Sequence, residues 1–426
     1  MGANERVNVA LIGCGGRGRL LANLFKQTPN ASITALCDVY DAQVAGARDA
    51  ASEGARTFTD FRRVLEQKDI DAVVVATPDH WHALIAIAAC QAGKDAYVEK
   101  PLAHNVKESR AIVDAVQRTK RIVQHGTQHR AAPHYREVQQ IVQSGQLGEV
   151  HYVRIWNYQN LYPRGIGREP DAQPPAGLDW DFYLGPAPMV PFNKARFLST
   201  YRWFWDYAGG WVTDYGTHRF DSFHQVMGVD TPRSVVATGG RFALKDSGET
   251  PDLVQATYEY PGFVMSYETC ALNGHGSGGR TTDMAYYQMR GEFDRPHGEA
   301  FYGTSGTLFS DRIGYEVYPE MEPREPGAAR DTGAKPVFRS ERRVVKGRDT
   351  TDLLVRDFVE CVRSRRTPLA PAETGHRTTI VPLIGNIALR TGRKLRWNAE
   401  KEAFEGNEPE AIALLGRQHR KPWTLA

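Results

Sequence analysis

Through the first 125 residues, apolar positions fall in short continuous runs, and the stretches between them repeat at helical spacing. RVNVALI at 6–12 is β-branched and apolar and predicts a buried strand. RLLANLFKQ follows, with Leu20, Leu21, Leu24 and Phe25 near a 3.6-residue period, and predicts a helix. SITALCD at 32–38 is a second strand. DAVVVATP at 71–78 is apolar almost throughout, as a parallel strand covered on both faces is. A helix over ALIAIAACQAG, a strand in DAYVEKP, a helix over NVKESRAIVDAVQRT and a strand in RIVQHGTQHR continue the alternation. Strands alternating with helices imply a parallel sheet with helices on both faces.

After about residue 127 the pattern changes. EVHYVRIWNY, RSVVATGGRF, LVQATYEYP and FVMSYETC come in succession with partial in/out alternation. That suits an antiparallel sheet with one covered face. The expected fold is α/β, with a Rossmann parallel sheet over 1–127. Residues 128–426 are expected to form a second domain that carries the antiparallel sheet. Between the first two of those strands, residues 157–207 form a long segment rich in Pro, Tyr and Trp, including LDWDFYLGP and YRWFWDY. Loops of that length are commonly functional. Aromatic faces suit the apolar faces of sugar rings, and satellite packing under a loop explains the same composition equally well.

Composition narrows the function classes. Of 426 residues, 41% are hydrophobic and 24% charged, so a substantial core is available. A net charge of +3, with no Lys/Arg-rich run longer than RSRR at 363–366, argues against a nucleic-acid partner. No apolar stretch reaches the roughly 20 residues of a membrane span. The five cysteines, Cys14, Cys37, Cys90, Cys270 and Cys361, include no C-x-x-C pair. Buried thiols in a reduced compartment are expected, not a disulfide framework or zinc site. No metal is expected: His80 and His82 sit i, i+2 at a turn with no third ligand. A cytoplasmic location follows, or a periplasmic one if an export signal was trimmed from this chain.

Chemistry enters at the end of the first strand. Gly13, Gly15, Gly16, Arg17 and Gly18 fall in a G-x-G-x-x-G turn between strand and helix. Gly13 permits the tight turn, Gly15 lets backbone approach a pyrophosphate, and Gly18 lets helix pack on strand. The helix N-terminus presents free N–H groups to phosphate. Asp38 ends the second strand 20 residues past Gly18, where an acid accepts the ribose hydroxyls. Asp38 repels a 2′-phosphate, and Val39 and Tyr40 offer no cation beside it, which favours NAD over NADP. Thr77, Pro78 and His82 in the TPDHWH turn, Glu99 and Lys100 in EKP, and Gln128 in QHGTQHR all fall beyond strand carboxyl ends, where ligands bind in such sheets.

The sharpest feature of the second half is GGWVTDYGTHRFD at 209–221. On a helix Asp214, His218 and Asp221 share one face. A carboxylate beside an imidazole raises its basicity and fixes its tautomer, as in a general base. Arg130, Trp156, Tyr162, Trp205 and Asp221 are the candidates for substrate contact.

Together these motifs resemble the Gfo/Idh/MocA oxidoreductase family along essentially the whole chain. The G-x-G-x-x-G start, the ATP…H turn, the E-K-P turn and the G-G…D-x-G-x-H-x-x-D helix occur in the family's order. The stretch from DFVECVRS to KLRWN resembles its closing helices. The resemblance implies that Lys100, Asp214 and His218 form the catalytic group. It also implies that residues 128–426 are an α/β domain with a large, mostly antiparallel open sheet, for substrate binding and for oligomerisation as a homo-oligomer, dimer or tetramer. It implies an NAD-dependent oxidoreductase acting on a small-molecule sugar, glycoside or polyol. The long 157–207 segment is similar to a subgroup from sugar-degrading bacteria. Two alternatives remain on the resemblance alone. One is a redox-neutral glycosidase or epimerase; in glycosidase relatives the E-K-P lysine is replaced, and here Lys100 stands. The other is a non-catalytic NAD-sensing regulator, which the intact Lys100, Asp214 and His218 oppose.

Overall fold

A computed structural model describes residues 6–273, 296–320 and 342–425. The first half is built on six parallel strands: β1 (Val7–Ile12), β2 (Ala31–Cys37), β3 (Arg56–Phe58), β4 (Ala72–Val75), β5 (Asp95–Val98) and β6 (Val123–His125). They lie in the order β3-β2-β1-β4-β5-β6. The alternating pleat of β1 sends Val9 and Leu11 to one side, into a core with Leu21, Phe25, Leu354 and Phe358. Ala10 and Ile12 point to the other side, into a core with Ile85, Ile87 and Ile112. Burial on both faces explains the uninterrupted apolar runs. Each fully buried Leu or Ile contributes about 1.5–3 kcal/mol. Leu354 and Phe358 belong to the helix Thr351–Ser364, so the chain returns late to cover the first half. The strand order reverses at β1/β4, which opens a crevice beyond their carboxyl ends.

The second half carries a ten-stranded sheet. Its strands are β7 (Val150–Tyr158), β8 (Ser234–Gly240), β9 (Leu253–Tyr260), β10 (Phe263–Cys270), β11 (His297–Gly303), β12 (Gly306–Asp311), β13 (Gly314–Pro319), β14 (Arg343–Lys346), β15 (Leu395–Asn398) and β16 (Ala403–Phe404). The order is β14-β13-β12-β11-β7-β10-β9-β8-β15-β16. Among the described strands of this sheet only β7 and β10 pair in parallel; their neighbours are antiparallel. On β9 buried and exposed residues alternate, so one face is covered. The covering layer includes the helices Gly210–Met227 and Ala372–Thr391. Phe220, Phe223, Ile380 and Ile384 pack there against Tyr258, Met265 and Tyr267 of the sheet. The uncovered face carries Tyr152 stacked on Tyr302 at 5.3 Å and exposed Val236 and Val264.

The aromatic segment forms a core of its own. Trp180, Tyr183, Phe192, Phe197, Tyr201, Trp203 and Tyr207 cluster, with Val39 and Tyr40 of the first half packed against them. Satellite packing therefore explains most of its aromatic composition. Phe182, Tyr183, Phe197, Leu198, Ser199, Tyr201 and Arg202 also reach the crevice.

Candidate active site

A cavity of about 870 Å³ lies between the two halves. Its floor is the turn after β1. Gly13 has φ +91°, and a Cβ there would stand 2.6 Å from the carbonyl of Ala76. A Cβ on Gly18 would lie 1.9 Å from the Gly13 oxygen, so helix and strand meet closely only with glycine at that position. Gly15 and Gly16 have open space where a side chain would be. The helix Gly16–Gln27 starts there with no side-chain cap, leaving its first N–H groups toward the cavity. This is a cradle for an anion such as a pyrophosphate.

Asp38 also lines the cavity. Its carboxylate accepts from the Cys14 amide at 2.7 Å and the Tyr40 amide at 3.0 Å. Burial pushes its pKa up to about 6, against the pull of those amides and the Arg19 guanidinium. Arg19 corrects one expectation. Val39 and Tyr40 supply no cation, but Arg19 lines the same part of the cavity and hydrogen-bonds Gln43 at 3.0 Å. Farther along, Arg17 donates to Glu99 at 2.8 Å. Thr77 Oγ1, Gln128 Oε1 and one Arg17 guanidinium nitrogen are buried without partners. Buried polar atoms of this kind are costly unless a ligand pairs with them. Gly13, Gly15, Gly16, Arg17, Asp38, Thr77, Pro78, Glu99, Lys100 and Gln128 all line the cavity, and their chemistry fits a dinucleotide.

At the other end the halves contribute jointly. Lys100, just past β5, donates to the carbonyl oxygen of Asp214 at 2.9 Å and also pairs with the Asp214 carboxylate. Arg202 Nε stands 3.1 Å from the same carboxylate. Burial works to raise the Asp214 pKa, but Arg202 and Lys100 outweigh it and hold the group well below the usual carboxylate range. Asp214 is thus a fixed anion that orients Lys100. His218, one turn along the helix, also lines the cavity. Burial first, then the charges of Lys100 and Arg312, push its imidazole well below its ordinary value. The shared helix face is real, but the expected Asp214–His218 pairing is not made: the carboxylate is taken by two cations, and His218 Nδ1 is buried without a partner.

Several other sequence candidates lie elsewhere. His82 is buried, with Nδ1 2.7 Å from the Pro101 carbonyl and Nε2 3.0 Å from that of Thr77, so it ties two turns together. Arg130 is ion-paired to fully buried Asp221 at 2.8 Å, and Thr378 donates to Asp221, which anchors one helix to another. Trp156 is wholly buried in β7. Tyr162 is 54% exposed and outside the cavity lining. Trp205 lies under Arg390, 5.0 Å from its ring, and its carbonyl accepts from His104. Conversely, Arg202, Tyr215, Arg312 and Asp349 line the cavity and were not legible as site residues. Tyr201 ties the aromatic segment to Asp79 at 2.9 Å and so positions Arg202. Arg312, between β12 and β13, faces Asp349 at 3.5 Å.

Comparison with known proteins places this geometry. Residues 7–127 match an oxidoreductase family described by its NAD-binding Rossmann fold, and residues 132–259 and 340–425 match the C-terminal alpha/beta domain of the same family. Inositol 2-dehydrogenase 2 of Saccharopolyspora erythraea is 35% identical over 162 residues, 38% of this chain and 48% of that protein. A glycosyl hydrolase family 109 protein of the same organism is 35% identical over 134 residues, 28% of each chain. The chain thus spans half or less of these relatives' own lengths. Among solved structures, levoglucosan dehydrogenase in complex with NADH and levoglucosan superposes with a TM-score of 0.64 at 19% identity, over 94% of this chain and 98% of that one. With both halves matched in order, the chain belongs to the Gfo/Idh/MocA oxidoreductase family.

Proposed function

We propose that the protein is an NAD-dependent dehydrogenase of a sugar, glycoside or polyol. The observation that carries this reading is that Lys100 and His218, from separate halves of the chain, line one cavity together with the glycine turn. NAD, when bound, supplies carbon 4 of its nicotinamide as hydride acceptor. Lys100 hydrogen-bonds the reacting oxygen and favours its alkoxide character. His218 takes the hydroxyl proton; its buried Nδ1 leaves Nε2 for the substrate. Asp214 keeps Lys100 aimed. The cofactor fits Gly15, Gly16, Asp38, Thr77 and Gln128.

Asp38 favours NAD, because a 2′-phosphate would meet its carboxylate. Replacing Asp38 by Ser is expected to weaken NAD binding and to shift preference toward NADP, with Arg19 as the new counter-ion. NADH and NADPH fluorescence titrations check this, and an unchanged preference argues against Asp38 as the ribose ligand. The uncovered sheet face, with its stacked tyrosines, is the surface we assign to a homodimer or tetramer. Five free, buried cysteines fit the cytoplasm. Among the described residues, no helix is long and apolar enough to cross a membrane.

The local likeness to a glycosyl hydrolase supports a second, redox-neutral reading. One experiment separates them: sugars and nitrophenyl glycosides are mixed with protein and external NAD. NADH is expected to accumulate with a sugar. Glycoside cleavage without accumulation favours the second reading.

A further inference from the structure

Beside the reaction cavity, across Tyr215, lies a smaller hollow of about 180 Å³. The end of β7 supplies Asn157 and Tyr158, the helix Gly210–Met227 supplies Trp211 and Tyr215, and β11 supplies His297. Tyr215 lines both spaces. Trp211 and Tyr215 are i and i+4 on the helix that carries Asp214 and His218. Their rings meet edge to face at 4.4 Å, and Trp211 meets Trp203 the same way at 4.9 Å. The aromatic wall is therefore held from both sides.

Two polar atoms of this wall lack partners. Trp211 Nε1 and Asn157 Oδ1 are both buried without a hydrogen bond. Asn157 is only 4% exposed, and its amide nitrogen donates to the Tyr267 hydroxyl at 3.1 Å. That hydroxyl in turn donates to the Trp211 carbonyl at 3.2 Å. Asn157 is thus fixed in orientation with its carbonyl oxygen spare. A buried donor and a buried acceptor left unpaired cost stability until something fills both roles. The volume lies below the roughly 300–1,000 Å³ of a site for a drug-sized ligand. It suits a single ring with an apolar face and hydroxyls that both donate and accept.

We propose that this hollow is a subsite for a second sugar ring, so that the substrate is a disaccharide or glycoside. Its reacting ring sits at Lys100 and His218, and its second ring lies against Trp211 and Tyr215. One hydroxyl accepts from Trp211 Nε1, and another donates to Asn157 Oδ1. This inference rests on the dehydrogenase reading of the adjoining cavity.

The test compares the full chain with its Trp211→Phe variant, which keeps the ring wall and removes the donor. Both are assayed with NAD against glucose, galactose and inositol, and against maltose, cellobiose and lactose. The full chain is expected to show its highest kcat/KM with a disaccharide. In the variant, the ratio of disaccharide to monosaccharide kcat/KM is expected to fall about two- to tenfold, the loss of one neutral hydrogen bond. A monosaccharide preference in the full chain, or an unchanged ratio in the variant, overturns the subsite. If NADH binds but no sugar reduces NAD, the dehydrogenase reading has failed instead. Calorimetric titration of the NADH-loaded protein with the same disaccharides then decides the subsite: binding weakened by Trp211→Phe supports it, and unaffected or absent binding overturns it.

Discussion

Replacing Lys100 by methionine is expected to lower kcat by about 10²–10³-fold, the usual effect of removing one donor to a developing oxyanion. The substitution keeps the length and apolar stem of the side chain and deletes only the ammonium group. Removing one member of a buried ion pair is ordinarily severe, because the partner charge is stranded. Here Asp214 keeps Arg202 at 3.1 Å, so its carboxylate stays compensated and the fold is expected to hold. NADH binding should persist, since the glycine turn, Asp38 and Thr77 are untouched. The measurement is steady-state oxidation of the best sugar beside an NADH fluorescence titration. Full activity in the variant would remove Lys100 from the chemistry. Loss of NADH binding together with activity would make it a structural residue.

The contrast between Lys100 and its surroundings shows what the chain discloses locally and what it does not. The glycine turn, Asp38 and the strands beside them are legible because each is set by its immediate neighbours: an apolar run, a turn only glycine allows, a helix at period 3.6. Lys100 and His218 come from short motifs at an element's end or on one helix face. The second cation at Asp214 is not legible in that way. Arg202 is 102 residues from Lys100 and arrives through a loop whose course depends on Tyr201 reaching Asp79. Arg312 and Asp349 come from a hairpin and a late helix start, brought together by the ten-stranded sheet. The aromatic residues mislead for a related reason. Richness in Trp and Tyr identifies the 157–207 segment as packed, but not which ring faces the cavity. Trp156 and Trp205 serve packing, whereas Trp211 and Tyr215 border the sites. The strands β11–β14 are short and bounded by glycine or charge, so their alternation is weak in sequence and their pairing is fixed by β7.

Replacing His218 by asparagine is expected to reduce kcat by about 10²–10⁴-fold, the usual contribution of a general base. Its pH behaviour tells more about the site than the loss itself. An imidazole paired with a carboxylate would have a raised pKa, and the rate would fall on the acid side near neutrality. His218 has no such partner; burial and the Lys100 and Arg312 charges depress its pKa well below the ordinary value of about 6.5. It is therefore neutral, and able to accept a proton, at pH values where a free histidine is already charged. The kcat of the unaltered protein is expected to stay level as pH falls through about 6.5. Global stability works in the opposite sense to that flat rate. Buried His80, His125, His129 and His224 are also held neutral in the fold and protonate more readily when unfolded. Stability therefore declines as pH drops through the unfolded value. Initial rates must be read beside tryptophan fluorescence, which reports whether the fold persists. A fall in kcat near pH 7 with fluorescence unchanged would mean that His218 is paired with a carboxylate in the working enzyme, and that Asp214 serves the imidazole and not Lys100.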